Sequence, residues 1–213
     1  MSDKVIVTID REFGSGGHEI GVRLAEELGI PLYDKLLVSV VAEEGGYAQE
    51  YLEEMDEKVE IHIAPFLASR SSYSVYQQPM SDRIFFRQAE IIRNLVREGP
   101  CVIVGRCADY VLEGEEHVIR VFLYGDLKDR VARKQAMGLD IPDDKMEKHV
   151  LATDRKRARY YRHYTGKTWG ARENYDLCIN TSETDIEGAV KVIKAFLQAD
   201  KYLNQNESQS EEG

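Results

Sequence analysis

Short apolar runs alternate along this chain with longer stretches in which apolar residues return every three or four positions. Residues 5–10 form a mostly apolar run, suited to the buried centre of a parallel sheet. A helix follows over residues 18–28. Ile20, Leu24, Ala25 and Leu28 fall on one face of it, and Gly29 stops it. Residues 30–33 read as a short second strand. Residues 36–41 and 48–64 have helical spacing, with Pro65 as a stop. Residues 69–82, rich in Ser, Gln and Tyr, read as a long loop of the functional kind. A helix over 84–97 ends at Gly99-Pro100. Cys101–Val104 and Val118–Tyr124 are the third and fourth strands, and 126–137 and 143–164 are helices, the second long and polar. Leu177–Asn180 is the fifth strand and 186–197 the last helix. Beyond 204 the chain is polar and acidic, the composition of a disordered tail.

Strands that alternate with helices predict an α/β fold: one five-stranded parallel sheet with right-handed crossovers. Ligands of such sheets bind beyond the carboxyl ends of the strands. Residues 10–18, 33–34 and 105–109 fall at those ends. The chain has 213 residues, enough for one well-buried core. No internal repeat is visible.

A formal charge of −10 excludes a generic nucleic-acid binder, which is basic. No apolar run is long enough to span a membrane, and the N-terminus carries no signal-peptide pattern. The three cysteines are far apart, and Cys101 and Cys178 sit in apolar runs that predict burial. A reducing cytoplasm is the expected setting.

The densest chemistry lies between the first strand and the first helix. Gly14-Ser15-Gly16-Gly17 places three glycines in four residues at a helix start. Such a loop lets backbone N–H groups converge on an anion at the helix N-terminus. A plain tight turn is the alternative reading. The phosphate-loop pattern G-x-x-x-x-G-K-[ST] would put Lys at Gly17 and Ser or Thr at His18. Both are missing, and imidazole is a poor ligand for a hard cation. Ser15 is the hydroxyl left in the loop, and Arg11 is the candidate for the absent charge. A dinucleotide reading would use Gly14, Gly16 and an acid at Asp34, but its third glycine position holds Glu19.

Two other arginine groups stand out. On a helix, Arg155, Arg159 and Arg162 share one face, with Lys167 close after it. They suit either a clamp on phosphate oxygens or a solvated face balanced by Asp143, Asp144 and Glu147. Arg106 and Asp109 follow the third strand, where they can meet a ligand or pair with one another.

Together these residues resemble the cytidylate kinase-like branch of the P-loop nucleoside monophosphate kinases. The resemblance is carried by residues 9–17, Leu32-Tyr33-Asp34-Lys35, residues 102–109, the arginine run 154–164 and the Tyr-Asp-Leu-Cys-Ile-Asn-Thr-Ser segment at 175–182. It implies a three-layer sandwich with strand order 2-3-1-4-5. A single domain would span 1–203, with an acceptor arm at about 36–98 and a lid at about 140–172. It implies ATP, Mg²⁺ and phosphoryl transfer to CMP or dCMP. Gly14, Ser15, Gly16, Gly17 and His18 would hold the donor, and Ser15 would be the metal ligand. Asp34, Arg83, Arg87, Arg106 and Asp109 would meet the acceptor. Arg155 and Arg159, with Arg11, would stabilise the transferring group, and Arg162 and Lys167 would complete the lid. Partners would be small nucleotides, with neither nucleic acid nor membrane, and a homo-oligomer is compatible. A nucleotide-binding regulatory protein without catalysis is the alternative that the missing lysine favours.

Overall fold

A computed structural model of the chain describes residues 5–34 and 80–199. The predicted helices at 36–41 and 48–64, most of the 69–82 loop and the acidic tail lie outside the described residues. The described elements are β1 (Ile6–Arg11), α1 (Gly17–Leu28), β2 (Leu32–Tyr33), α2 (Met80–Glu98), β3 (Cys101–Val104) and α3 (Ala108–Val111). After them come β4 (Val118–Tyr124), α4 (Leu127–Ala136), α5 (Asp143–Thr165), β5 (Leu177–Asn180) and α6 (Thr181–Ala199).

All strand pairs are parallel, in the order β2-β3-β1-β4-β5. β1 lies at the centre, with Ile9 level with Val104 on one side and Val121 on the other. Its side chains alternate between two cores, as a strand's period of two requires. Val5, Val7 and Ile9 pack with Ile20 and Leu24 of α1 and with Val190 and Ile193 of α6. Ile6 packs on the opposite side with Ile84, Phe85 and Ile92 of α2, with Leu112, and with Tyr161 of α5. The molecule is thus a helix–sheet–helix sandwich. Asp10, two strand positions on from Thr8, reaches the α3–α5 side, where an apolar residue would continue the core.

Some elements differ from expectation. α2 begins at Met80, so the end of the expected loop is helical. α6 begins with a turn from Thr181, broken at Asp185, whose φ is 52°. Gly188 N–H donates to Asp185 Oδ1 at 2.7 Å, so Asp185 caps the longer helix that follows. Cys178 is exposed, contrary to prediction, because β5 is an edge strand whose alternation turns Ile179 inward instead. Cys101 and Cys107 are buried.

Gly21 lets α1 lie close on the sheet. A Cβ there would stand 3.0 Å from Val104 Cγ2 and 3.3 Å from Leu32 Cδ1. Gly21→Leu should therefore lower unfolding stability by about 1–3 kcal/mol through overpacking. Urea denaturation monitored by circular dichroism measures this. An unchanged midpoint would contradict the packing described.

Candidate active site

β1 delivers its last residue, Arg11, at the carboxyl edge of the sheet, and the chain then turns through residues 12–16 into α1. Gly14 (φ 87°) and Gly16 (φ 83°) occupy left-handed conformations that strain other residues. Ser15 N–H donates to the Glu12 carbonyl at 3.2 Å, and Ser15 Oγ donates to the same oxygen at 2.9 Å. Ser15 is completely buried. Its hydroxyl braces the loop, which does not fit the expected role of metal ligand.

Two helices hold this loop from outside. Arg130 of α4, itself buried, donates from Nε to the Gly125 carbonyl at 2.9 Å and from Nη1 to the Phe13 carbonyl at 3.2 Å. Nη1 also pairs with Asp154 of α5, and Nε lies 3.3 Å from Glu12 Oε2. Asp154 Oδ1 accepts the Phe13 N–H at 2.7 Å. Glu12 Oε2 accepts the Gly125 N–H at 3.1 Å, and burial raises the Glu12 pKa. Arg133 reaches the Gly14 carbonyl at 2.8 Å. Arg157 Nη1 donates to the Arg11 carbonyl at 2.9 Å, and its guanidinium stands over the Phe13 ring. These donors occupy carbonyl oxygens on the loop's outer side, leaving its geometry to be set by charge-assisted bonds.

Arg11 is the residue the glycines accommodate. A Cβ on Gly17 would lie 2.6 Å from Arg11 Cγ, and one on Gly105 would collide with the Arg11 guanidinium. The Arg11 side chain thus passes over the position where the phosphate-loop pattern carries lysine. That pattern has Gly at position 11 and Lys at 17, and this chain has Arg and Gly. The cation and the glycine have exchanged places. Asp34, buried after β2, fixes the new cation. Its Oδ1 accepts from Arg11 Nη2 at 3.4 Å, and its Oδ2 bonds His18 Nδ1 at 2.7 Å.

Beyond β3 the backbone takes three successive left-handed residues, Gly105 (φ 78°), Arg106 (φ 62°) and Cys107 (φ 51°). The two that are not glycine each carry strain of order 1–3 kcal/mol, which the packed surroundings must hold. This turn brings Arg106 to a cavity of about 60 Å³ lined by Asp10, Arg11, Arg106, Arg157, Tyr160 and Trp169, among others. Burial lowers the Arg106 pKa, though a guanidinium stays charged. Three cations and two large rings around one cavity suit an anionic group attached to a planar one.

Several expected residues do not converge there. Arg155, Arg159 and Arg162 share a face of α5, as predicted, but that face is exposed. Asp154 and Arg157 reach the loop instead, and Tyr161 on the same side of the helix reaches Asp109. Continuing the buried stripe Met146, Val150 and Thr153 by three or four residues leads to Arg157 and Tyr161. That signal was available in the sequence, and charge counting obscured it. Lys167 pairs with Glu113 at 2.9 Å. Arg83 is exposed, and Arg87 bonds Glu90 at 2.6 Å. Asp109 is buried, bonded by Tyr161 Oη at 2.6 Å. Asp10, Arg130, Arg133 and Arg157 are the site residues that sequence reasoning missed.

Among the described residues no group of three or more His, Cys, Asp or Glu could hold a metal, and no helix is long and apolar enough to cross a membrane. A magnesium ion accompanying a nucleotide would take its ligands from phosphate and water oxygens.

A parallel 2-3-1-4-5 sheet with a glycine loop between its central strand and first helix defines a P-loop kinase fold. The chain belongs to the cytidylate kinase-like family, whose family model matches residues 6–183, and so to the nucleoside monophosphate kinase-like phosphotransferases. A cytidylate kinase of Pyrococcus horikoshii is 27% identical over 200 residues, covering 92% of this chain and 89% of that one. A solved but uncharacterised protein of Eubacterium ventriosum has a TM-score of 0.69 at 27% identity, covering 92% of this chain and 99% of that one. The shikimate kinase of Bacteroides thetaiotaomicron shares the fold, with a TM-score of 0.56 at 15% identity over 91% and 98% of the two chains.

Removing the Asp154 carboxylate leaves Arg130 buried without its closest counter-ion. Asp154→Ala should cost about 3 kcal/mol, the scale of a broken buried pair. Urea denaturation reads this. A loss below about 0.5 kcal/mol, typical of neutral surface changes, would show that the pair does not hold the loop.

Proposed function

We propose that this protein transfers the terminal phosphoryl group of ATP, carried with Mg²⁺, to CMP or dCMP in the cytoplasm. The observation that carries this reading is the convergence of Arg11, Arg106 and Arg157 on a cavity beside the glycine loop. Loop N–H groups hold the donor phosphates at the start of α1. Arg106 and Arg157 hold the acceptor phosphate, one oxygen of which attacks the terminal phosphorus while ADP leaves. The transition state spreads negative charge over the transferring group, so catalysis rests on positioning and on placed cations. Arg11 supplies from β1 what lysine supplies elsewhere. Tyr160 and Trp169 offer ring faces to the acceptor base. Membership of the cytidylate kinase-like family supports a cytidine acceptor.

The test is ADP release from ATP and Mg²⁺ with a panel of nucleoside monophosphates. Release stimulated most by CMP or dCMP is expected. In the same assay Arg106→Ala should raise the acceptor KM at least about tenfold with the ATP KM within about twofold, as loss of an acceptor contact requires. Tight ATP binding without acceptor-dependent turnover would reject the kinase reading in favour of a regulatory nucleotide-binding protein.

A further inference from the structure

Asp10 is an ionisable group that neither the loop nor the arginine cluster explains. It is 8% exposed, lines the cavity and faces a second carboxyl, Asp109, which is 5% exposed. Tyr175 Oη donates to Asp10 Oδ2 at 3.0 Å, and Tyr161 Oη donates to Asp109 Oδ2 at 2.6 Å. Asp109 Oδ1 is buried with no hydrogen-bond partner.

We propose that Asp10 and Asp109 hold one proton between them, and that Asp10 thereby determines which anions the arginine cavity accepts: a fully ionised oxyanion binds only with that proton in place. This extends the reading of the cavity as an anion site given above.

The geometry favours one shared proton: both carboxyls are nearly enclosed, each accepts from one phenol, and Asp109 Oδ1 is left buried without a donor. Electrostatics agree. Burial, and then the charge of Asp109, push the Asp10 pKa up to about 7, against the opposing pull of Arg11, the Tyr175 hydrogen bond and Arg157. Burial raises Asp109 too. The groups facing the pair are Arg11 on β1, Arg106 and Cys107 on the turn after β3, and Arg157 and Tyr161 on α5. Tyr175 lies ahead of β5, and Lys167 and Arg120 face Asp109. An ionised Asp10 places a negative charge in the wall that must receive the oxyanion. A bound dianion in turn keeps the carboxyl protonated. Binding therefore takes up a proton, and affinity falls as pH rises through the free-state pKa.

Sulfate is the suitable probe, because it stays a dianion across the range. Its binding to the full chain is measured by titration calorimetry at pH 7 and 8.5, at constant ionic strength, in buffers of different ionisation enthalpy. Uptake of between about 0.5 and 1 proton per sulfate is expected, with an affinity loss of about tenfold between the two pH values. Asp10→Asn should bind sulfate without proton uptake and with equal affinity at both. Asp109→Asn removes the second charge and should shift the fall in affinity to lower pH, so that it binds more weakly than the natural chain at pH 7. Thermal transitions show that each variant is folded. No binding of sulfate, pH-independent binding by the natural chain, or uptake that persists in Asp10→Asn and so belongs to another group, would each overturn the proposal. Proton-linked sulfate binding in a protein that phosphorylates no monophosphate would reject only the kinase reading.

Discussion

The site depends on where the Arg11 side chain lies. It crosses Gly17 and ends against Gly105, so two glycines from different βα connections are committed to one arginine. A phosphate loop must place positive charge near the terminal phosphates without blocking the backbone donors that hold them. The usual solution projects lysine from the start of the helix. Here an arginine comes from the end of the strand, and the helix start carries no side chain where that arginine passes. Asp34 prevents the guanidinium from swinging away, and ties His18 to the same anchor.

A cation set on the strand demands a rigid loop, and the second structural theme follows from that. Arg130 and Asp154 are charged residues in largely enclosed positions, a costly arrangement unless every bond is made. Arg130 makes bonds to the Gly125 and Phe13 carbonyls and to two carboxylates. These partners lie on the glycine loop, the turn after β4 and α5, so one side chain joins three segments. The left-handed turn at Arg106 and Cys107 is held differently, by burial of Cys107 and Ala108 against the core. Strain and buried charge thus gather where the chain positions its arginines, and the apolar sandwich behind them is regular.

The sandwich was the part most legible from residues alone. Strand runs such as Cys101–Val104 are apolar throughout because both faces of the sheet are covered, and the α1 stripe repeats at helical spacing. The strand order came from family resemblance, since alternation alone does not order a sheet. The site was only partly legible. Glycines and Arg11 announced themselves by position. Arg157 and Arg130 did not, because a charged residue at an inward helical position looks like any surface charge until its partners are known. Arg155, Arg159 and Arg162 drew attention by number, yet the helix is oriented by Met146 and Val150, which turn those arginines to the exposed side. Asp10 was hidden inside the first strand, and its meaning depends on Asp109, distant in sequence and brought near by the β3–α3 turn.

The exchange of cation and glycine between positions 11 and 17 is tested most directly by reversing it. Phosphoryl transfer would be compared for Arg11→Ala, Gly17→Lys and the double variant. The account predicts that each single change cuts kcat/KM by about 100-fold or more, one by losing the cation and the other by colliding with it. The double variant, with lysine in the vacated space, should regain at least about tenfold over either single change, where independent sites would lose about 10,000-fold, a coupling of about 4 kcal/mol between them. A double variant no more active than Arg11→Ala alone would contradict the claim that Arg11 does the work of the missing lysine.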